Sequence, residues 1–420
     1  MGSVRTLLVT GAAGAGRTAV AAATAAAAAR AGDRTLLLTA DGGTAVRLLP
    51  PVGPATGTSL SGLPRPYGVD GTPRLYVARI DPSAAFRAGL LDLQDRIGSL
   101  LSLLGAPPLD PEELTDLPGA NALALLRALR EAEVTGGGST SWDLVVVDLP
   151  PVRDAVALLA LPEQLRRYLR RLLPADRQAA RALRPVLAQL AGVPMPAEWA
   201  YDAASRADRE LDAVQAVIED PGTIAAVVVE PGPAAAAALR TARTGLALYG
   251  HRLAAVAANR LLPTGSADPF LAALSGQQQD HLKALAEQCA ADGVPLRELP
   301  HLGGEPGGAA DLSALALPPA WIELGSPKAG VDASTAPEPW TVTDLLGTEG
   351  HFVWSLPLPG AGRDGLDLVR RGDELVVDAG GFRRIMPLPS ALRRCTVEGA
   401  ALRDGALRVR FTPDPELWPR

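Results

Sequence analysis

The chain of 420 residues is poor in aromatic side chains, 4% of the total, and in thiols, with only Cys289 and Cys395. Two cysteines so far apart exclude a disulfide framework and leave no zinc-ligand spacing. Basic residues are not in excess: 40 Lys and Arg stand against 46 Asp and Glu, a net charge of −6. That balance goes against an electrostatic nucleic-acid binder. Long hydrophobic runs are missing as well. "AVAAATAAAAA" (19–29) is about half the length of a membrane span, and alanine is barely apolar. No basic start leads into an apolar stretch, so no signal peptide is read. The expectation is a soluble cytoplasmic protein with no intrinsic membrane span and no nucleic-acid partner.

The abundant residues are Ala, Leu, Gly and Pro, and 420 residues allow two or three domains with a large core. In so small-residue-rich a chain, glycine motifs arise easily by chance. Order along the chain therefore matters more than any one motif. "VRTLLVT" (4–10) reads as a strand, 11–16 as a loop and 18–30 as a helix, followed by a second strand, "RTLLLTAD" (34–41). That is a βαβ unit, with the second strand expected beside the first. "WDLVVVDLP" (142–150), "IAAVVVEP" (224–231) and "RLAAVAANRLLP" (252–263) read as further strands. Continuous apolar strands alternating with helices predict an α/β fold: a mostly parallel sheet with helices on both faces. Residues 82–130 and 153–220 read as helical insertions. The arginines of the second belong to a solvated face rather than a nucleic-acid patch, because leucines recur every three or four positions. A Pro/Ala/Ser linker is expected over 326–347, and a small all-β sandwich over 348–414, where short alternating runs are separated by turns such as "RDG" and "AGG".

"GAAGAGRT" (11–18) has the outline of a phosphate loop, G-x-x-x-x-G-K-[ST], between a strand and a helix. Gly11, Gly16 and Thr18 fit the pattern. The glycines let backbone N–H groups face phosphate oxygens, the helix start adds positive potential, and Thr18 offers a hydroxyl to Mg²⁺. Arg17 replaces the lysine. It keeps the charge but is longer, planar and forked. Asp41 and Asp148 end strands at the carboxyl edge of the sheet, where open α/β folds bind ligands. Taken singly, the loop also reads as a plain strand-to-helix turn, and each aspartate as a helix N-cap.

Several ordered segments together resemble the ArsA-type ATPases, a family of arsenite-pump ATPases and of the eukaryotic ATPase that targets tail-anchored membrane proteins. "GAAGAGRTA" (11–19) resembles the family loop GKGGVGKTT, and "TADGGTA" (39–45) its switch I segment. "DLPPVRDAVALLALPE" (148–163) resembles switch II and its helix, and "ANRLLP" (258–263) the family's VNRVLP. "PGANALALLRAL" (118–129) is similar to the helical insertion, and "LPLPG", "GDELVV", "RRIMPLP" and "DGALRVRF" to the small-heat-shock-protein-like sandwich of bacterial members. The resemblance implies ATP and Mg²⁺ as cofactors. ATP would be held by Gly11, Gly14, Gly16, Arg17, Thr18 and Asn259, the last reading adenine. Mg²⁺ would be held by Thr18 and Asp148, with Asp41 positioning the attacking water. It also implies a homodimer, or a heterodimer with an intact ArsA-like paralogue, and a client protein as partner.

The departures are equally specific. The family's signature lysine is Ala12, its loop lysine is Arg17, and its switch histidines are Thr44 and Asp154. Its metal-binding cysteines have no counterpart at Cys289 or Cys395, so arsenite handling is the least supported role. Missing ammoniums remove charge compensation that phosphoryl transfer relies on. The leading expectation is a degenerate ArsA-like protein with weak or absent hydrolysis, the non-catalytic half of a pair. The alternatives are an active ATPase with a tolerated arginine, and a client-binding protein with a vestigial site. In that last case the helical insertions would form an apolar groove and the sandwich would be a docking module.

Overall fold

A computed structural model describes residues 4–54, 66–96, 109–115, 119–134, 142–172, 198–323 and 339–418. A nine-stranded sheet forms the larger part. Its strands are β1 (Arg5–Gly11), β2 (Thr35–Thr39), β3 (Pro51–Pro54), β4 (Tyr67–Val69), β5 (Thr72–Arg79), β6 (Leu144–Asp148), β7 (Thr223–Val229), β8 (Leu253–Leu261) and β9 (Leu296–Pro300). The order is β3-β4-β5-β2-β6-β1-β7-β8-β9, parallel from β5 to β9, with β3 and β4 added antiparallel at one edge.

Contrary to the βαβ expectation, β2 does not lie beside β1, because β6 is inserted between them, pairing Thr39 with Asp148 on one side and Val9 with Asp148 on the other. "LVVVD" is buried along its whole length. A strand apolar on both faces is most stable with a neighbour on each side and helices above and below. The insertion places Asp148 at the centre of the sheet's carboxyl edge.

Helices cover both faces. They are α1 (Arg17–Ala31), α2 (Gly42–Leu48), α3 (Pro82–Arg96), α4 (Ala120–Val134), α5 (Val152–Leu172), α6 (Glu198–Glu219), α7 (Ala235–Leu248), α8 (Pro269–Ala291) and α9 (Ala309–Leu315). Strand alternation sorts the core into two layers. Leu7, Val9, Leu37 and Val228 pack with α1, whereas Leu8, Leu36, Leu38 and Val227 pack with α4, α5 and α7. α1 is mostly alanine, ten of its fifteen residues, and is buried on most of its surface from Ala19 to Ala29. Small side chains let it lie close to the sheet, and Thr24 turns its hydroxyl back to Val20 O. The insertion expected over 153–220 is helical where described, at 152–172 and 198–219, and its centre lies outside the described residues.

The C-terminal part is a sandwich of two antiparallel sheets. One has the order β10 (Thr341–Leu345), β11 (His351–Pro357), β16 (Ala406–Pro413), β15 (Cys395–Arg403); the other is β12 (Leu366–Arg371), β13 (Glu374–Ala379), β14 (Phe382–Pro387). β10 falls within the expected linker, the first part of which lies outside the described residues. β10 is an exposed edge strand, so its sequence lacks the alternation that a half-buried strand shows. The sandwich packs on α5 and α7. Arg384 pairs with Glu163 at 3.2 Å and donates to Leu248 O at 2.9 Å. The guanidinium of Arg153 lies 5.6 Å from the Phe382 ring centroid, and Tyr249 donates to Arg383 O at 2.9 Å. Gly245 of α7 is a close-approach position, since a Cβ there would come within 2.7 Å of Phe382 and 2.9 Å of Val156.

Candidate functional site: a phosphate loop with its arginine turned aside

The loop between β1 and α1 is shaped by contacts that only glycine permits. A Cβ on Gly11 would lie 1.9 Å from Val228 O, because β7 runs against it and Ala12 N donates to that same oxygen. Gly16 has φ 86°, and a Cβ there would come within 2.5 Å of Asn259 Nδ2. Gly14 is also left-handed, φ 76°, with open space around it. Asn259 is buried near the end of β8 and donates from Nδ2 to Ala15 O at 2.8 Å, which ties the loop to the neighbouring strand.

Under the loop lies a buried hydroxyl–carboxylate cluster. Thr18 and Thr39 each donate to Asp148 Oδ2 at 2.8 Å. Thr39 also accepts from Asp41 N at 3.0 Å, so one hydroxyl joins the end of β2 to the end of β6. Burial pushes the Asp148 carboxyl above its usual range, while the two hydroxyl bonds and Arg17 oppose that shift. Asp41 is exposed and caps α2, accepting from Thr44 N at 3.1 Å.

Arg17 stands where the loop pattern has a lysine. Its Nη1 donates to Leu149 O, the carbonyl after Asp148. That carbonyl is held in place because Leu149 N donates to Val9 O at 2.9 Å and Thr10 donates to Pro150 O at 2.8 Å. Burial lowers the Arg17 pKa from its ordinary value, and the fields of Asp148, Asp41 and Asp154 oppose that shift without cancelling it. Asp154 lies on the exposed first turn of α5.

Gly14, Gly16, Arg17, Thr18, Asp41 and Asn259 line one cavity of about 720 Å³ at the carboxyl edge of the sheet. Asp148 sits beneath Thr18, and Gly11 stands behind the loop in β1. The cavity also has walls that the sequence did not suggest. Arg260 and Glu230 pair at 3.0 Å across the ends of β8 and β7, and Arg47 and Glu305 pair at 2.9 Å across the mouth. Arg260 holds a left-handed φ of 60°, with Gln278 donating to its carbonyl at 3.0 Å. Thr39, Glu230 and Arg260 each stand at or next to a strand's carboxyl end, and that position was the available signal.

Two buried polar atoms in this region have no hydrogen-bond partner: Asp148 Oδ1 and Asn259 Oδ1. An unpaired carboxylate oxygen beside a threonine hydroxyl is a donor set suited to a hard cation such as Mg²⁺. A lone amide acceptor at the end of β8 asks for a ligand that donates an N–H. The residues present therefore fit a magnesium-bound nucleotide. Elsewhere, Cys289 and Cys395 are buried free thiols, and burial pushes Cys289 up to about 11. No described helix is long and apolar enough to cross a membrane.

A glycine loop leading from a parallel strand into a helix at the sheet's carboxyl edge is the architecture of the P-loop nucleotide-binding proteins. The chain belongs to the ArsA ATPase family: residues 4–317 match the family described as anion-transporting ATPase, and residues 349–411 match the HSP20-like domain found in ArsA. It is 54% identical over 418 residues to the protein SCO2128 of Streptomyces coelicolor, covering 99% of this chain and 100% of that one. It is 31% identical over 330 residues to Rv2184c of Mycobacterium tuberculosis, 74% of this chain and 72% of that one. A protein of Aquifex aeolicus provisionally named as an arsenical pump-driving ATPase is 23% identical over 402 residues, 94% and 97% of the two chains.

Proposed function

We propose that this chain is a cytoplasmic ArsA-type nucleotide-binding protein that takes Mg-ATP with little or no hydrolysis and works as the non-catalytic member of a pair, beside an intact relative. Two features support binding: the preserved cradle of Gly11, Gly14, Gly16 and Thr18, and the unpaired acceptors on Asp148 and Asn259. The orientation of Arg17 carries the rest of the reading. Its guanidinium is bonded to Leu149 O, and Ala12 has no charge to lend a neighbouring chain. Phosphoryl transfer depends on compact positive charge fixed where negative charge develops, and both ammoniums are missing. Thr18 and Asp148 would hold the magnesium, which supplies charge neutralisation on the phosphates. Asn259 Oδ1 would accept from the adenine amino group. Asp41, which its contact with Thr44 N already orients, would order water at the phosphate end.

Steady-state phosphate release by the purified chain tests the reading. Wild type and Asp41→Asn are expected to release phosphate at the same background rate. Turnover in wild type that Asp41→Asn abolishes would make the chain an active ATPase instead. Recovery from its native source as a monomer, with no ArsA-like companion, would contradict the pairing.

A further inference from the structure

In a P-loop site with its lysine, the carboxylates at the strand ends are balanced by the divalent cation, and the ammonium serves the phosphates. Here the loop's only side-chain cation has moved to the carboxylate side. Arg17 Nη1 is fixed on Leu149 O, one residue past Asp148. Burial works against its charge, and Asp148, Asp41 and Asp154 favour it. Thr18, the neighbouring loop residue, is bonded to Asp148 Oδ2 at 2.8 Å, so the loop and the end of β6 form one bonded unit.

Two consequences follow from charge alone. A fixed positive group beside Asp148 supplies part of the neutralisation that a divalent cation supplies in other sites. It also leaves a Mg²⁺ held by Thr18 and Asp148 less of that neutralisation to supply. Arg17 cannot easily withdraw, because it is half-buried and its acceptor carbonyl is held by Val9 and Thr10 from behind. We propose that Arg17 is a built-in counter-cation for the Asp148 side of the site, so that this chain binds a nucleoside triphosphate with little dependence on a divalent metal. This rests on the nucleotide-binding reading given above. It adds that metal dependence, a property separable from affinity, has been moved from a bound ion to a side chain.

The test is a calorimetric titration of the full chain with the slowly hydrolysed analogue ATPγS, in excess MgCl₂ and again in EDTA. For wild type the two dissociation constants should agree within about threefold, less than one charge-assisted hydrogen bond is worth. For Arg17→Lys and Arg17→Ala, removing Mg²⁺ should weaken binding by about tenfold or more, because the carboxylates are then left without a counter-charge. Wild type that loses about tenfold or more in affinity in EDTA overturns the proposal while leaving nucleotide binding intact. Binding in neither buffer overturns the nucleotide reading, and this proposal with it. The wild-type comparison decides the matter even if a variant fails to fold, which thermal melting of each variant would reveal.

Discussion

Thr39→Val isolates the hydroxyl that joins the end of β2 to the end of β6. Thr39 is fully buried, donates to Asp148 Oδ2 at 2.8 Å and accepts from Asp41 N at 3.0 Å. Valine keeps the shape and removes both bonds. A hydrogen bond to a charged group is worth about 1.5–3 kcal/mol. The Asp41 amide lies near the exposed edge and can turn to water, so most of the loss comes from the Asp148 bond. The expected destabilisation is about 2 kcal/mol at neutral pH. Its pH dependence has a definite sign. Burial already raises the Asp148 carboxyl, and the Thr39 bond is one of the contacts opposing that shift. Without it the folded-state value rises further above the unfolded one. The native state then holds its proton more tightly, and stability falls as pH climbs from the unfolded value through the folded one. The deficit of Thr39→Val should therefore be small near pH 4 and full by pH 8. Urea denaturation of wild type, Thr39→Val and Thr39→Ser across that range measures it, with the serine variant retaining most of the stability. A valine variant within about 0.5 kcal/mol of wild type at pH 8, or a serine variant as damaged as valine, would mean that the Thr39 hydroxyl does not hold the Asp148 carboxylate in the folded state.

Other outcomes follow from the same geometry. Arg17→Lys should tighten Mg-ATP binding about ten- to a hundredfold in a calorimetric isotherm, since a lysine too short to stay on Leu149 O returns its charge to the phosphates. Ala12→Lys should add to this only where two chains meet. Arg384→Met removes the partner of Glu163 and a donor to Leu248 O from the buried seam between α5, α7 and the sandwich. The variant should lose about 3–5 kcal/mol in denaturant unfolding, and Arg384→Met with Glu163→Leu should recover part of that. His251 is half-buried, with Nε2 itself buried and unpaired, and burial and then Arg384 lower its pKa to about 4. The native state thus favours the neutral ring, so its stability is intact above the unfolded value and lost as pH falls from about 6.5 towards 4. His251→Gln should flatten that acid limb in thermal melts.

The parts of the site carried by local sequence were legible. A glycine loop after an apolar strand, and an aspartate closing another, can be read without knowing neighbours. What depended on strand order was not. Thr39 looks like any strand residue until β6 lies beside β2 and brings Asp148 into register with it. Arg260 and Glu230 meet only because β7 and β8 are neighbours. The direction of Arg17 was hidden for a similar reason, since it depends on how Val9 and Thr10 present the Leu149–Pro150 backbone. β3 and β4 contain glycine or proline and are short, and β10 is exposed, so none of them carries a hydrophobic period. The docking of the sandwich on α5 was equally out of reach, because Arg384 and Glu163 stand 221 residues apart.

On the proposed function the cradle binds nucleotide while the displaced arginine denies it catalysis. Titrating wild type with ATP and MgCl₂ in a calorimeter while assaying the same sample for released phosphate tests both halves of that reading most directly. Saturable binding with phosphate at the no-protein background is the predicted result. Sustained phosphate release that Asp41→Asn removes, or no heat of binding at all, would contradict it.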